Sequence, residues 1–246
     1  MKLNNKGLSN ILIIVIAAVS ILIILGAVVA YFWFWPGNLK TEEFAFTDFT
    51  AVESSWGFEI NIKQSNSFSV VISADEKIFD NIKVIQTENT LMIGFEQGFN
   101  PGLLAKKAEI TMPDLNKLIL SGASKGTAEG FSNSDQFVLG ISGASYLEMT
   151  NINVGDLDIN VSGASRLDAR GTGNNLVSLV SGASNIDLSN FVVNNVDIDI
   201  SGASKATINT AGILDANISG ASTLEYLGEP TLGTINTSDS STIRKK

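Results

Sequence analysis

The chain of 246 residues has no cysteine, no histidine and only four prolines. Without thiols there is no disulfide framework and no thiolate chemistry, so cysteine says nothing of redox compartment. Without imidazole, the side chain best suited to proton transfer near neutral pH is missing. That excludes every His-containing catalytic triad and every His-ligated metal site. Positive charge is scarce as well: 16 Lys and Arg stand against 25 Asp and Glu, giving a formal net charge of −9. Phosphate backbones call for the opposite balance, which argues against nucleic acid as a partner. The length allows one larger domain or two small ones.

Charge is absent altogether from Ile11 to Trp35, a run of 25 residues. As a helix it extends about 37 Å at ~1.5 Å per residue, enough to cross a hydrocarbon core of ~30 Å with some tilt. Tyr31-Phe32-Trp33-Phe34-Trp35 has the aromatic content of an interfacial belt, and Pro36-Gly37 breaks the helix. Lys2 and Lys6 precede the run, and Glu42 and Glu43 follow it. The bias of positive charge predicts a cytoplasmic N-terminus (1–10), a single-pass transmembrane helix in the lipid bilayer (11–35), a stalk (36–43) and an extracytoplasmic body (44–246). Two other readings stand beside this one. A secretory signal could be cut after Ala30, although the apolar region is long for one. Lys6-Gly7-Leu8-Ser9 is similar to archaeal pilin-type signals cut after Gly7, but no acidic residue follows early in the helix.

What the chain has in abundance is a repeat. Ser-Gly-Ala-Ser starts at Ser121, Ser142, Ser162, Ser181, Ser201 and Ser219, at intervals of 18 to 21 residues, and a degenerate copy starts at Ser238. Repeats of this period predict a solenoid. Apolar residues alternate before each copy, as in Leu157, Ile159 and Val161, and after it, as in Leu167 and Ala169. Period two means strands. Each unit is one coil of an all-β fold, predicted to be a right-handed parallel β-helix with coils ~4.8 Å apart.

The tetrapeptide is expected to be a corner of small residues close to the core. Gly supplies unusual φ, Ala fills little space, and stacked Ser hydroxyls bond one another along the axis. No base stands beside these serines to activate a nucleophile. Lys125, Arg166 and Lys205 follow the tetrad in three of six copies. Residues 44–120 carry five further strand-like runs, including Phe58-Glu59-Ile60-Asn61-Ile62 and Ala108-Glu109-Ile110-Thr111-Met112, with a loop at 96–107. They are expected to start and cap the same solenoid.

Several motifs occur in order: Phe49-Thr50-Ala51-Val52-Glu53, Phe58-Glu59-Ile60-Asn61-Ile62, Phe68-Ser69-Val70-Val71-Ile72, Leu91-Met92-Ile93, and Met112-Pro113-Asp114-Leu115-Asn116-Lys117-Leu118 running into the first Ser-Gly-Ala-Ser. Together with the repeat they resemble the auto-transporter adhesin head GIN domain family over residues 44–246. The resemblance implies a β-helical fold and a cell-envelope location. It implies no catalytic residues.

The expected function is therefore a non-enzymatic, membrane-anchored surface protein for adhesion or envelope scaffolding, with an extracellular protein or glycan as ligand and homo-oligomers open to it. The alternative is a carbohydrate-active or polysaccharide-binding β-helix, which as an enzyme needs clustered acids in a groove. The third residue after each tetrad forms the row Thr127, Glu148, Asp168, Asp187, Thr207 and Glu225. Stacking brings its carboxylates about 5 Å apart, where like charges repel by roughly 1–3 kcal/mol. Solvation or Arg166 can relieve this. So can a Ca²⁺ held by Glu148, Asp168 and Asp187, since hard cations take carboxylate oxygens. Glycosylation sequons begin at Asn160, Asn217 and Asn236, each expected to point outward.

Overall fold

Alternating apolar residues force a strand to bury one face, and a coil repeated every 20 residues or so can bury it only against its neighbours. The computed structural model describes residues 38–133 and 136–246. The expected cytoplasmic segment and membrane helix (11–35) lie outside the described residues. Among these, no helix is long and apolar enough to cross a membrane. Residues 39–246 form one unit.

In chain order the first elements are β1 (Leu39–Phe44), β2 (Ala51–Ser54), β3 (Glu59–Gln64), β4 (Ser69–Asp75), a one-turn helix α1 (Glu76–Phe79), β5 (Ile82–Thr87), β6 (Thr90–Phe95) and β7 (Lys106–Met112). The chain then alternates between two sheets. One sheet receives β8 (Lys117–Leu120), β10 (Phe137–Ile141), β12 (Leu157–Val161), β14 (Asn175–Val180), β16 (Asn195–Ile200), β18 (Ile213–Ile218) and β20 (Thr231–Thr237). The other receives β9 (Lys125–Glu129), β11 (Tyr146–Asn153), β13 (Arg166–Thr172), β15 (Asn185–Val193), β17 (Lys205–Thr210), β19 (Thr223–Leu227) and β21 (Thr242–Lys245). All neighbours in these two series pair in parallel. The all-β solenoid expected from the repeat is what the chain forms. Each Ser-Gly-Ala-Ser turns the chain from a strand of the first sheet into one of the second.

The N-terminal part differs from the expectation in two respects. Residues 39–43, expected within the stalk, form β1 together with Phe44, and β1 pairs antiparallel with β4. β4 is antiparallel to β7 and β5 to β6, so only β2, β3, β6 and β7 join the parallel stack. Alternation carries no information about strand direction, so these runs were recognisable as strands but not as antiparallel ones. The expected loop at 96–107 ends two residues early, at the start of β7.

The core is one continuous set of inward rows. In the coils it is aliphatic, with Leu147, Leu167, Ile186, Ala206 and Leu224 in register and each fully buried. The N-terminal end is closed by aromatics: Phe58 packs on Phe95 at 5.4 Å between centroids, Phe95 on Phe99 at 5.3 Å and Phe49 on Phe68 at 5.0 Å. A wide ring fills the space that no further coil covers.

Candidate binding surface

The corner comes first because it orients both outer faces. In Ser162-Gly163-Ala164-Ser165 the glycine has φ +79°, a left-handed conformation that L side chains adopt at a cost. A Cβ built there lies 2.4 Å from the carbonyl oxygen of Gly143, and Gly182, Gly202 and Gly220 repeat the clash at 2.3 to 2.5 Å. The cause is a backbone ladder: Ala164, Ala183, Ala203 and Ala221 each donate N–H to the previous corner's glycine carbonyl at 2.7 to 2.8 Å. Gly and Ala lie on the solvent side, while the last Ser of each tetrad is buried. The small residues are thus demanded by the neighbouring corner's main chain, not by the core.

The serine hydroxyls do not bond one another as expected. Ser145 Oγ donates to the Ser142 carbonyl at 2.8 Å and accepts the Ser124 N–H at 3.1 Å. Ser124 and Ser184 close the same turn onto Ser121 and Ser181 at 2.7 and 2.8 Å. Main-chain groups left bare by the bend out-compete a hydroxyl–hydroxyl contact. In every tetrad the buried fourth serine's hydroxyl is bonded to a main-chain group.

The expected acidic row is a register row. Asn61, Thr127, Glu148, Asp168, Asp187, Thr207, Glu225 and Arg244 lie side by side on successive strands. The structure brings Glu148, Asp168 and Asp187 to adjacent strands, but each oxygen that is engaged is engaged from within the chain. Asp168 accepts from Arg166 Nε at 3.0 Å and from the Tyr146 hydroxyl at 3.1 Å. Asp187 accepts from the Ser189 N–H at 3.0 Å, which helps hold its carboxyl below the usual range against the opposing effect of burial. Burial, then the bond to Asp168, pushes the Tyr146 phenol up. Among the described residues no three carboxylates converge on a point that could hold a cation. Donors within the chain offset the repulsion expected at Asp168 and Asp187.

Thr207 and Glu225, expected outside, are only 4% exposed. Lys205 lies 3.0 Å from Glu225, Lys246 lies 3.8 Å away, and Arg244 makes a direct hydrogen-bonded ion pair. Arg244 foremost, then Lys205, hold the Glu225 carboxyl at about 2. Lys205 comes from the coil before that of Glu225, and Arg244 and Lys246 from the last coil after it, so the cluster pins the last coil to the two before it. Lys125, Arg166 and Lys205 share the neighbouring row with Tyr146 and Asn185.

At the N-terminal end of the acidic row the face opens into a shallow groove of about 720 Å³, lined by Asn61, Lys63, Glu109, Thr127, Glu129 and Glu148 among others. Its polar groups already pair in part: Thr127 donates to Asn61 at 2.9 Å, and Lys63 lies 3.6 Å from Glu129. On the opposite sheet Asn160, Asn217 and Asn236 are exposed, as their sequons require. Asn217 donates to Asp199 and Asn236 to Asn217, both at 2.7 Å.

One corner was missed. Ser121 N–H bonds the Ser54 carbonyl and Lys125 N–H the Phe58 carbonyl, each at 2.9 Å, so Ser55-Trp56-Gly57-Phe58 is a corner in register with the first Ser-Gly-Ala-Ser. Trp56 takes the glycine position at φ +65° and Phe58 the buried serine's. Only the serine and a displaced glycine survive as a signal in the sequence.

These features define a class: an all-β solenoid with polar register rows on its outside and buried corner serines bonded to the backbone. Residues 48–230 match the family described as "Putative auto-transporter adhesin, head GIN domain", and the chain belongs to that family. No curated protein matches the chain. Among solved structures it is similar to the "putative adhesin" of Bacteroides fragilis NCTC 9343, with 21% identity, TM-score 0.78 and coverage of 86% of this chain and 99% of that one. A "putative lipid binding protein" of Parabacteroides distasonis ATCC 8503 shares 18% identity at TM-score 0.67, covering 85% and 97%. A "putative adhesin" of Parabacteroides merdae ATCC 43184 shares 17% at TM-score 0.62, covering 85% and 98%. At these identities the likeness is one of fold. None of these names is that of an enzyme.

Proposed function

We propose that this protein is a non-enzymatic, membrane-anchored surface protein. Residues 11–35 cross the bilayer with the N-terminus in the cytoplasm, and the right-handed coils present an adhesive or scaffolding face outside the cell. The observation that carries this reading is the solvent-facing part of the register row, from Asn61 to Asp187. It is a long, preformed polar surface on a rigid sheet, with the groove at Asn61 to Glu148 at one end. Preformed backbone lowers the ordering cost of binding an extended protein or glycan. Catalysis on polysaccharide requires an acid and a second carboxylate flanking one bond. Here Asp168 is engaged by Arg166 and Tyr146, and Asp187 by the Ser189 N–H.

The test is binding of the full chain in liposomes to arrayed glycans and envelope proteins, alongside turnover of the same polysaccharides. Saturable binding that Glu148→Lys weakens, without turnover, is the expected result. Turnover abolished by one Asp→Asn change would replace adhesion by catalysis. Orientation is read separately: protease added to intact cells should digest residues 39–246, and complete protection until lysis would reverse the topology.

A further inference from the structure

Trp56 is the one aromatic among the described residues with positive φ. The Ser-Gly-Ala-Ser corners give that position to glycine. The strands flanking Trp56 pair on their other side with β6 and β7, which are joined by the long 96–105 connection and not by a tight corner, whereas a Cβ on Gly122 would meet Trp56 N at 2.8 Å. Steric freedom explains why a side chain is tolerated there. It does not explain a large indole that is strained and still 47% exposed. Strain kept at an exposed aromatic points to a contact outside the fold.

The surroundings extend the patch. Trp56 Cδ1 lies 3.9 Å from a Cβ built on Gly94, and Gly94 lines a shallow cavity of about 240 Å³ with the exposed Ile85 and Met92. On its other side Trp56 lines a second cavity, of about 440 Å³, with Leu103, whose side chain is fully exposed. Four large apolar side chains thus face solvent around one corner of the N-terminal end, and contiguous exposure of this kind marks an interaction surface.

Chain connectivity selects the occupant. The loop carrying Leu103 bonds β4 through the Asp75 N–H to the Ala105 carbonyl, and Asp75 is opposite Leu39 in β1. The chain therefore enters the β unit about two strand spacings, or ~10 Å, from this loop. The charge-free run ends at Trp35, four residues before Leu39, a reach of at most ~14 Å. We infer that the Trp56–Leu103 patch seats in the headgroup boundary of the bilayer, holding the solenoid at a fixed orientation to the membrane. This inference rests on the reading of 11–35 as a membrane span. Trp is suited to that boundary because its ring is apolar and its N–H is polar.

The test uses the full chain in phosphatidylcholine liposomes. With Trp33→Phe and Trp35→Phe, Trp56 is the sole tryptophan. Its emission should be blue-shifted and quenched more strongly by lipids brominated near the headgroup than by those brominated at the chain ends. Leu103→Asp, at a fully exposed position, should reduce that quenching severalfold with the melting temperature unchanged. Trp33 and Trp35 are followed in a Trp56→Phe chain. If they are quenched and Trp56 is not, the patch does not touch lipid and the proposal is overturned while the anchor stands. If none is quenched, the anchor reading has failed and the proposal with it. A blue shift that follows protein concentration rather than lipid would assign the patch to a second copy and equally overturn it.

Discussion

The first corner and the repeated corners solve the same bend under different constraints. Trp56-Gly57 turns beside the long 96–105 connection and not beside another tight corner, so a bulky residue survives at φ +65°. Gly163-Ala164 turns with another corner's carbonyl 2.4 Å from where a Cβ would stand. The backbone conformation is nearly shared; the neighbour is not. A repeat is therefore strict only where a corner stacks on another tight corner. The largest break of this contrast is Gly163→Val, which adds left-handed strand strain to a main-chain clash. We expect a loss of about 4 kcal/mol. Urea melts check it, and a loss under ~1 kcal/mol would mean the corner yields.

Next is Ser145→Ala. The buried hydroxyl serves the Ser142 carbonyl and the Ser124 N–H, and its removal leaves both without that partner. A cost of about 1–2 kcal/mol is expected. Ser55 starts the first corner, whose fourth residue is Phe58, so no buried hydroxyl exists there to remove. Thermal melts of Ser145→Ala beside Ser55→Ala measure the difference, and equal shifts would show that the hydroxyl contributes nothing.

The ends of the stack differ in how they are closed. Aromatic rings and antiparallel strands close the first; charge closes the last, through Glu225 with Arg244, Lys205 and Lys246. The Glu225 carboxyl is depressed from its ordinary 4.5 to about 2 in the folded chain. A depressed acid contributes stability above its unfolded value and loses it as pH falls toward the folded one. Melting temperature should thus fall across pH 4.5 to 2, and Glu225→Gln should flatten that fall while leaving the N-terminal end unaffected. Identical acid profiles for the two chains would remove the charge clamp.

These contrasts also say what was legible. Alternation and the tetrad revealed the coils, and counting three residues past each tetrad gave the true register from Thr127 to Glu225, because parallel stacking conserves position. The first corner was hidden because its indole and Phe58 erase the small-residue pattern. β4 and β5 were hidden in direction because period two is the same in both senses, and β1 was hidden as a strand because its exposed residues carry no buried alternation. The burial of Glu225 was hidden because it is conferred by cations 19 or more residues away on one side and 20 on the other. Trp56→Gly sharpens the point: relief of ~1–2 kcal/mol of left-handed strain is offset by losing the buried half of the ring. A net change within about 1 kcal/mol is expected, far from the cost at Gly163, and a Trp56→Gly loss as large as that of Gly163→Val would erase the distinction between the corners.

The smallest effect belongs to the middle of the acidic row. Asp168 has Glu148 and Asp187 as register neighbours, and removing its charge relieves two repulsions. The same change weakens the pair with Arg166, whose side chain is 55% exposed, so that loss is screened. An Asn keeps an acceptor for the Tyr146 hydroxyl. The two contributions are of similar size and opposite sign, which predicts a change under ~0.5 kcal/mol for Asp168→Asn. Millimolar Ca²⁺ should leave both melting temperatures where they were, because the three carboxylates share a row without sharing a centre. A Ca²⁺-dependent rise in the parent chain that Asp168→Asn abolishes would show the row closing around a cation, and would make Glu148, Asp168 and Asp187 its ligands after all.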